Sequence, residues 1–154
     1  MDCSSPWTSL STGCYRFITN PIDWPTAKIQ CNNRKLDNRN AYLAEIGSEE
    51  EQNEIVAVIK GFPFKRWGYW IGLSDRAREK SMVWEHSGQT PNFTSWRNGQ
   101  PDNYLSNQDC VALFQGGLTG GDGSWDDDVC SRTTNGQYSM GAICELKMGL
   151  PTGK

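Results

Sequence analysis

The 154-residue chain holds a single histidine, His86, and no Cys-x-x-Cys pair. Zinc and copper centres are built from imidazole and thiolate donors, so one histidine and the lack of a paired-cysteine motif exclude that class of site. Lys and Arg total 15 against 18 Asp and Glu, a net charge of -3. There is no basic surplus to neutralise a phosphate backbone or an anionic membrane, and no nucleic-acid partner is expected. No apolar run approaches the roughly 18 residues of a spanning helix, which excludes membrane insertion of that kind. The start, Met1-Asp2-Cys3, lacks the basic and apolar stretch of a secretory signal and reads as a mature chain with an initiator methionine added. The length, with 36% hydrophobic and 21% charged residues, suits one domain over residues 1 to 154.

What is abundant is cysteine, tryptophan and glycine: 6, 7 and 16 residues. An even cysteine count at this density points to disulfides and so to an oxidising compartment, which makes the chain a secreted, extracellular protein. Cys3, Cys14, Cys31, Cys110, Cys130 and Cys144 allow fifteen connectivities. Cys3 with Cys14 and Cys110 with Cys130 would close short loops, and Cys31 with Cys144 would then join the ends.

Residues 1 to 20 read as a hairpin, with Trp7 and Cys14-Tyr15-Arg16-Phe17-Ile18 as strand formers around Ser11-Thr12-Gly13. A helix starting at Asp23 follows from Pro25 in a first turn and from Ala27, Ile29 or Gln30, and Cys31 near helical spacing. Ser48 before Glu49-Glu50-Glu51, then Ile55, Val56, Val58 and Ile59, predicts a second helix that Gly61 and Pro63 stop. Its acidic triplet is read as a partner of the helix dipole on a solvated face, without function. Tyr69-Trp70-Ile71-Gly72-Leu73, Met82-Val83-Trp84, Asp109 to Phe114 and Gly141 to Glu145 read as strands, and residues 147 to 154 as a tail. Between residues 87 and 123, Gly and Pro break any periodicity, so these residues are expected to supply binding loops. Two helices among strands indicate an α+β fold.

Side-chain oxygens concentrate in Gln100-Pro101-Asp102, Gln108-Asp109-Cys110 and Trp125-Asp126-Asp127-Asp128-Val129-Cys130. Carboxylates and amide carbonyls are the hard donors that Ca²⁺ prefers. His86 is expected in a surface turn, and Trp125 in the core. A cis bond at Pro101 would swing the flanking side chains to one side. Asn92-Phe93-Thr94 is a glycosylation sequon that could equally be a turn burying Phe93.

The cysteine order and spacing, Trp70-Ile71-Gly72-Leu73, Gln100-Pro101-Asp102, Trp125-Asp126-Asp127 and Gly141-Ala142-Ile143-Cys144-Glu145 together resemble a C-type lectin domain of the long form, over about residues 3 to 146. The resemblance implies two helices packed on antiparallel β-sheets, a long calcium-binding loop region, and disulfides Cys3 with Cys14, Cys31 with Cys144 and Cys110 with Cys130. It places the calcium ligands, which also bind sugar hydroxyls, at Gln100, Asp102, Gln108, Asp126 and Asp127. An auxiliary calcium site would fall on Asp75, Glu79 and Asp109. Gln-Pro-Asp implies galactose or N-acetylgalactosamine, with Tyr104 stacking on the sugar. Gln108 and Asp126 depart from the family, which has glutamate and asparagine there. That exchange keeps the charge of the set and opens mannose or N-acetylglucosamine as the alternative.

The resemblance thus implies a non-enzymatic, calcium-dependent lectin for terminal sugars, serving innate recognition of glycans. Weak monosaccharide affinity calls for a noncovalent homodimer or higher oligomer. A hydrolase would need a nucleophile with a base partner, which the sequence does not offer. A module of the same fold that binds protein, ice or mineral is the other reading.

Overall fold

The computed structural model describes residues 3–63, 67–78, 81–97, 109–114, 123–132 and 139–147. Strands β1 (Thr8–Leu10) and β2 (Gly13–Ile18) make the expected hairpin, with Thr8 opposite Tyr15. Helix α1 (Trp24–Asn32) starts where the Asp23 carboxylate accepts the Thr26 N–H at 2.9 Å, with Pro25 in the first turn, where its missing N–H is no loss. Ala27 and Cys31 face inward while Ile29 is 60% exposed. Two short strands, β3 (Lys35–Leu36) and β4 (Arg39–Asn40), pair across Asp37 and Asn38, whose φ values of 54° and 66° make the mirror-image turn that suits strand twist. Strand β5 (Tyr42–Leu43) leads to α2 (Glu49–Lys60), capped by Ser48 and ended at Gly61 as expected.

Strands β6 (Gly68–Ser74), β7 (Val83–Trp84), β8 (Cys110–Phe114), β9 (Trp125–Asp128) and β10 (Met140–Lys147) complete the described elements. The main sheet runs β1-β2-β10-β6-β8-β9, with β5 also on β10 and β7 on β6. Its pairs are antiparallel except β6 with β10.

The period of two along these strands sorts the core into two layers. Cys14, Ile18, Trp70, Ala112, Ala142 and Cys144 turn to one face and pack with Trp24, Ala27 and Cys31 of α1. Tyr15, Tyr69, Ile71, Val111, Leu113 and Ile143 turn to the other and pack with Ile55 and Ile59 of α2. Both faces being covered, β6 and β8 read as unbroken apolar runs rather than alternating ones. Gly72 is needed within its run because a Cβ there would stand 2.7 Å from the Leu43 carbonyl oxygen.

Disulfides join Cys3 to Cys14, Cys31 to Cys144 and Cys110 to Cys130. Among the described residues no helix is long and apolar enough to cross a membrane.

Two expectations need correction. The acidic triplet does not lie wholly on a solvated face, because Glu51 is buried at 1% exposure and its carboxylate accepts the Gly47 N–H at 3.0 Å and the Tyr15 hydroxyl at 2.5 Å. Lys147 is not tail but the last residue of β10, opposite Gly13, with its ammonium paired to Glu145.

Candidate functional site

The candidate site is built on the β8–β9 hairpin at one edge of the sheet. Cys110, Val111, Ala112 and Leu113 lie opposite Asp128, Asp127, Asp126 and Trp125 in turn, and the Cys110–Cys130 bond closes the pair two residues beyond Asp128. Trp-Asp-Asp-Asp has no strand-like apolar pattern, and nothing in its composition predicts the strand. Pairing with the fully buried β8 and the adjoining disulfide hold it extended.

Trp125 is the anchor, with no exposed surface. The rings of Trp84, Phe93 and Trp96 each meet it edge-on, with centroids 5.8 Å away. Its indole N–H donates to the Gln52 side-chain oxygen at 2.9 Å, and the Gln52 amide donates to the Gly123 carbonyl at 2.5 Å, so α2 grips both ends of the Gly123–Trp125 segment. The Trp125 N–H donates to Ser95 and its carbonyl accepts from Arg97, at 2.7 and 2.8 Å. Residues 95 to 97 are thereby fixed against the start of β9.

Beside this anchor stand three consecutive carboxylates. Asp126, Asp127 and Asp128 are 9%, 2% and 4% exposed. Asp126 Oδ2 lies 3.0 Å from Arg97 Nη2. Asp128 accepts the Val129 N–H at 2.7 Å and pairs with Arg132 Nε at 2.8 Å, which gives it a structural task at the hairpin end. Neighbouring strand residues point to opposite faces. A single ion touched by both Asp126 and Asp127 must therefore sit at the outer edge of β9, the last strand in the sheet order. Carboxylate donors without thiolate or imidazole suit a hard divalent cation of the calcium type. Among the described residues no three such groups converge as a complete metal cluster. Asp126 and Asp127 thus fit as part of a ligand set rather than the whole.

Gln100, Pro101, Asp102, Tyr104 and Gln108 lie outside the described residues, as does Glu79. The flanking ends are described. Arg97, three residues before Gln100, is bonded to Trp125, and Asp109, next to Gln108, accepts the Asp75 N–H at 2.9 Å. The structure so brings Asp75, 3% exposed, beside Asp109. Asn92 is exposed, and Phe93 is half-buried on Trp125. His86 is exposed, as expected, with its ring stacked 3.7 Å from that of Tyr42.

Sequence reasoning missed Arg97 and Gln52, polar residues in segments without a motif. It also missed a buried ionisable cluster on the α2 face. Glu145 and Tyr15 have no exposed surface. Tyr15 lies 3.4 Å from Glu145 Oε2, Lys147 Nζ lies 2.5 Å from Glu145 and 3.3 Å from Glu51, and the Glu45 N–H donates to Glu145 at 2.5 Å. Burial pushes the Glu145 carboxyl up to about 8, with the Glu51 charge adding to the rise and Lys147 opposing it. Burial and the two carboxylates likewise raise the Tyr15 phenol, while Glu145 and Glu51 raise the Lys147 ammonium against its partial desolvation.

Comparison with known proteins adds three kinds of match. The Lectin C-type domain model matches residues 20–145. Echinoidin of Heliocidaris crassispina is 31% identical over 154 residues, covering 95% of this chain and 97% of that protein. An alpha-N-acetylgalactosamine-specific lectin of Patiria pectinifera is 34% identical over 127 residues, covering 82% of this chain and 73% of that protein. Among solved structures, the C-type lectin CEL-I of Cucumaria echinata superposes with a TM-score of 0.79 at 24% identity, covering 94% of this chain and 97% of that one, a likeness of fold.

Proposed function

The chain belongs to the C-type lectin domain family, whose members bind carbohydrate and are not enzymes, and from that premise we propose that it is a secreted, calcium-dependent lectin for terminal galactose or N-acetylgalactosamine. In this reading residues 1 to 154 form one carbohydrate-recognition domain. Gln100, Asp102, Gln108, Asp126 and Asp127 hold the ion. When bound, calcium supplies direct ligation to two neighbouring sugar hydroxyls. The chain's own part is to fix hydroxyl orientation, since the amides of Gln100 and Gln108 donate and the carboxylates of Asp102 and Asp126 only accept. Tyr104 stacks on the apolar face of the sugar. Asp75, Glu79 and Asp109 form the auxiliary calcium site.

The observation that carries this reading is the burial of Asp126 and Asp127 on the edge strand, next to the two chain ends that flank residues 98–108. The N-acetylgalactosamine specificity of the Patiria relative agrees with Gln-Pro-Asp. The three disulfides agree with an extracellular location. Weak single-site affinity favours a noncovalent homodimer or higher oligomer acting in innate recognition.

Asp126 also favours a second reading. A carboxylate where the family has asparagine, together with Gln108 in place of glutamate, reverses the second donor-acceptor pair and would favour mannose-type diols. A glycan array probed with labelled protein, in calcium and again in chelator, separates the two. Chelator-sensitive binding to galactose-type termini is the expected result. Binding to mannose or N-acetylglucosamine termini would establish the second reading, and no chelator-sensitive signal would overturn both.

A further inference from the structure

On the α1 face, away from β9, lie two half-buried arginines, Arg16 and Arg34. Arg16 shares the inward face of β2 with Ile18, its guanidinium lying 5.7 Å from the centre of the Trp7 ring. Arg34 follows α1, and its backbone is pinned at both ends, N–H to the Cys31 carbonyl at 3.1 Å and carbonyl to the Ala41 N–H at 2.8 Å. Both side chains are half-buried. Arg34 Nε is itself buried and makes no hydrogen bond among the described residues. Neither guanidinium has a salt bridge there. Burial lowers the proton affinity of Arg16, and the charge of Arg34 adds to that. A half-buried guanidinium without an ion pair among the described residues suits an anionic partner.

Arg34 opens into a cavity of about 280 Å³, lined also by Ile18, Asn20, Pro21, Asp23 and Gln30. That volume is just below the roughly 300–1,000 Å³ of ligand pockets and suits a group the size of one sugar ring. Its polarity is divided. Arg34 supplies a cationic donor, whereas the Asp23 carboxylate, which already caps α1, accepts from hydroxyls. Ile18 and Pro21 supply an apolar floor.

We propose that this cavity is a second, calcium-independent binding site for an acidic sugar, a carboxylate or sulfate ester on a polyhydroxyl ring, with Arg34 on the anion and Asp23, Asn20 and Gln30 on the hydroxyls. The site shares no residue with the calcium ligands, and its test does not depend on them.

The test titrates the full chain, in chelator, with glucuronate, glucose 6-sulfate, neutral glucose and inorganic sulfate, following binding by calorimetry and by amide NMR shifts. Both acidic sugars are expected to bind and to shift resonances of residues 18 to 34, with glucose and inorganic sulfate much weaker. Arg34→Gln should weaken the acidic sugars roughly tenfold or more, as the loss of a charge-assisted contact. Asp23→Asn keeps a capping side chain but removes the negative charge, so it should tighten the anion roughly threefold, an effect no purely structural role would produce. Absence of acidic-sugar binding in chelator, unchanged binding by folded Arg34→Gln, or inorganic sulfate binding as well as the sugar ester would each overturn the proposal.

Discussion

Arg97 and Asp126 are ion-paired at 3.0 Å, on the strand that carries the described carboxylates of the candidate site. Asparagine, which the C-type lectin pattern has at this position, could not form that pair. The carboxylate gained at Asp126 therefore arrives with its own counter-charge, and the charge offered to a cation is smaller than a count of acids suggests.

Arg97→Gln is accordingly expected to tighten calcium binding. Removing one positive charge from the neighbourhood of a proposed ligand carboxylate is worth roughly tenfold in affinity at protein-surface dielectric. Calorimetric calcium titration of the variant against the parent measures it, and an unchanged or weaker affinity would show that Arg97 does not compete with the ion.

Restoring the family pattern at both departures, Gln108→Glu with Asp126→Asn, keeps the ligand charge while returning each donor and acceptor to its usual place. The double variant should concentrate its glycan-array signal on galactose-type termini. A profile identical to the parent's would remove the exchange as a determinant of specificity.

Gln52→Leu tests the grip of α2 on the hairpin. It strips the acceptor from a fully buried Trp125 indole and the donor from Gly123. The expected loss is about 1–3 kcal/mol of stability, read from urea unfolding. Calcium affinity should fall with it, because the Gly123–Trp125 segment leads directly into Asp126.

These residues mark the limit of what the chain shows in one dimension. Ser48 and Asp23 announced their helices because capping is local chemistry, and cysteine order with the Trp-Ile-Gly-Leu run announced the fold. Strand β9 was hidden because its extended form comes from β8 and a disulfide, not from its own composition. Arg97 meets Asp126 across 29 positions, and Glu51 meets Glu145 across 94, through sheet register and helix docking that no motif records. The short strands β3 to β5 escaped for a simpler reason, since two residues carry no periodicity.

The Glu145 cluster gives a pH signature. Burial, with the Glu51 charge adding to it, keeps a proton on Glu145 up to about 8 in the folded chain, whereas the unfolded chain releases it near 4.5. Between these values the native state binds more protons, and stability falls as pH rises, levelling off above about 8. The raised Lys147 acts only above its ordinary 10.5 and does not enter this window. Urea unfolding in chelator at several pH values should show a decline on the order of a few kcal/mol. Glu51→Gln, which removes the neighbouring like charge, should make it shallower while burial sustains the rest, and an equally steep decline in that variant would show that Glu51 does not act on Glu145.

The disulfides also settle how the domain carries mechanical load. A pull between residues 3 and 147 crosses from Cys3 to Cys14, runs along the backbone to Cys31, jumps to Cys144 and leaves through β10. Residues 32 to 143 hang from this path as a covalently bypassed loop, with β8, β9 and Asp126 inside it. A domain tethered by its ends and dragged by flow or by a moving cell would stretch along that route, leaving the β9 edge unstrained.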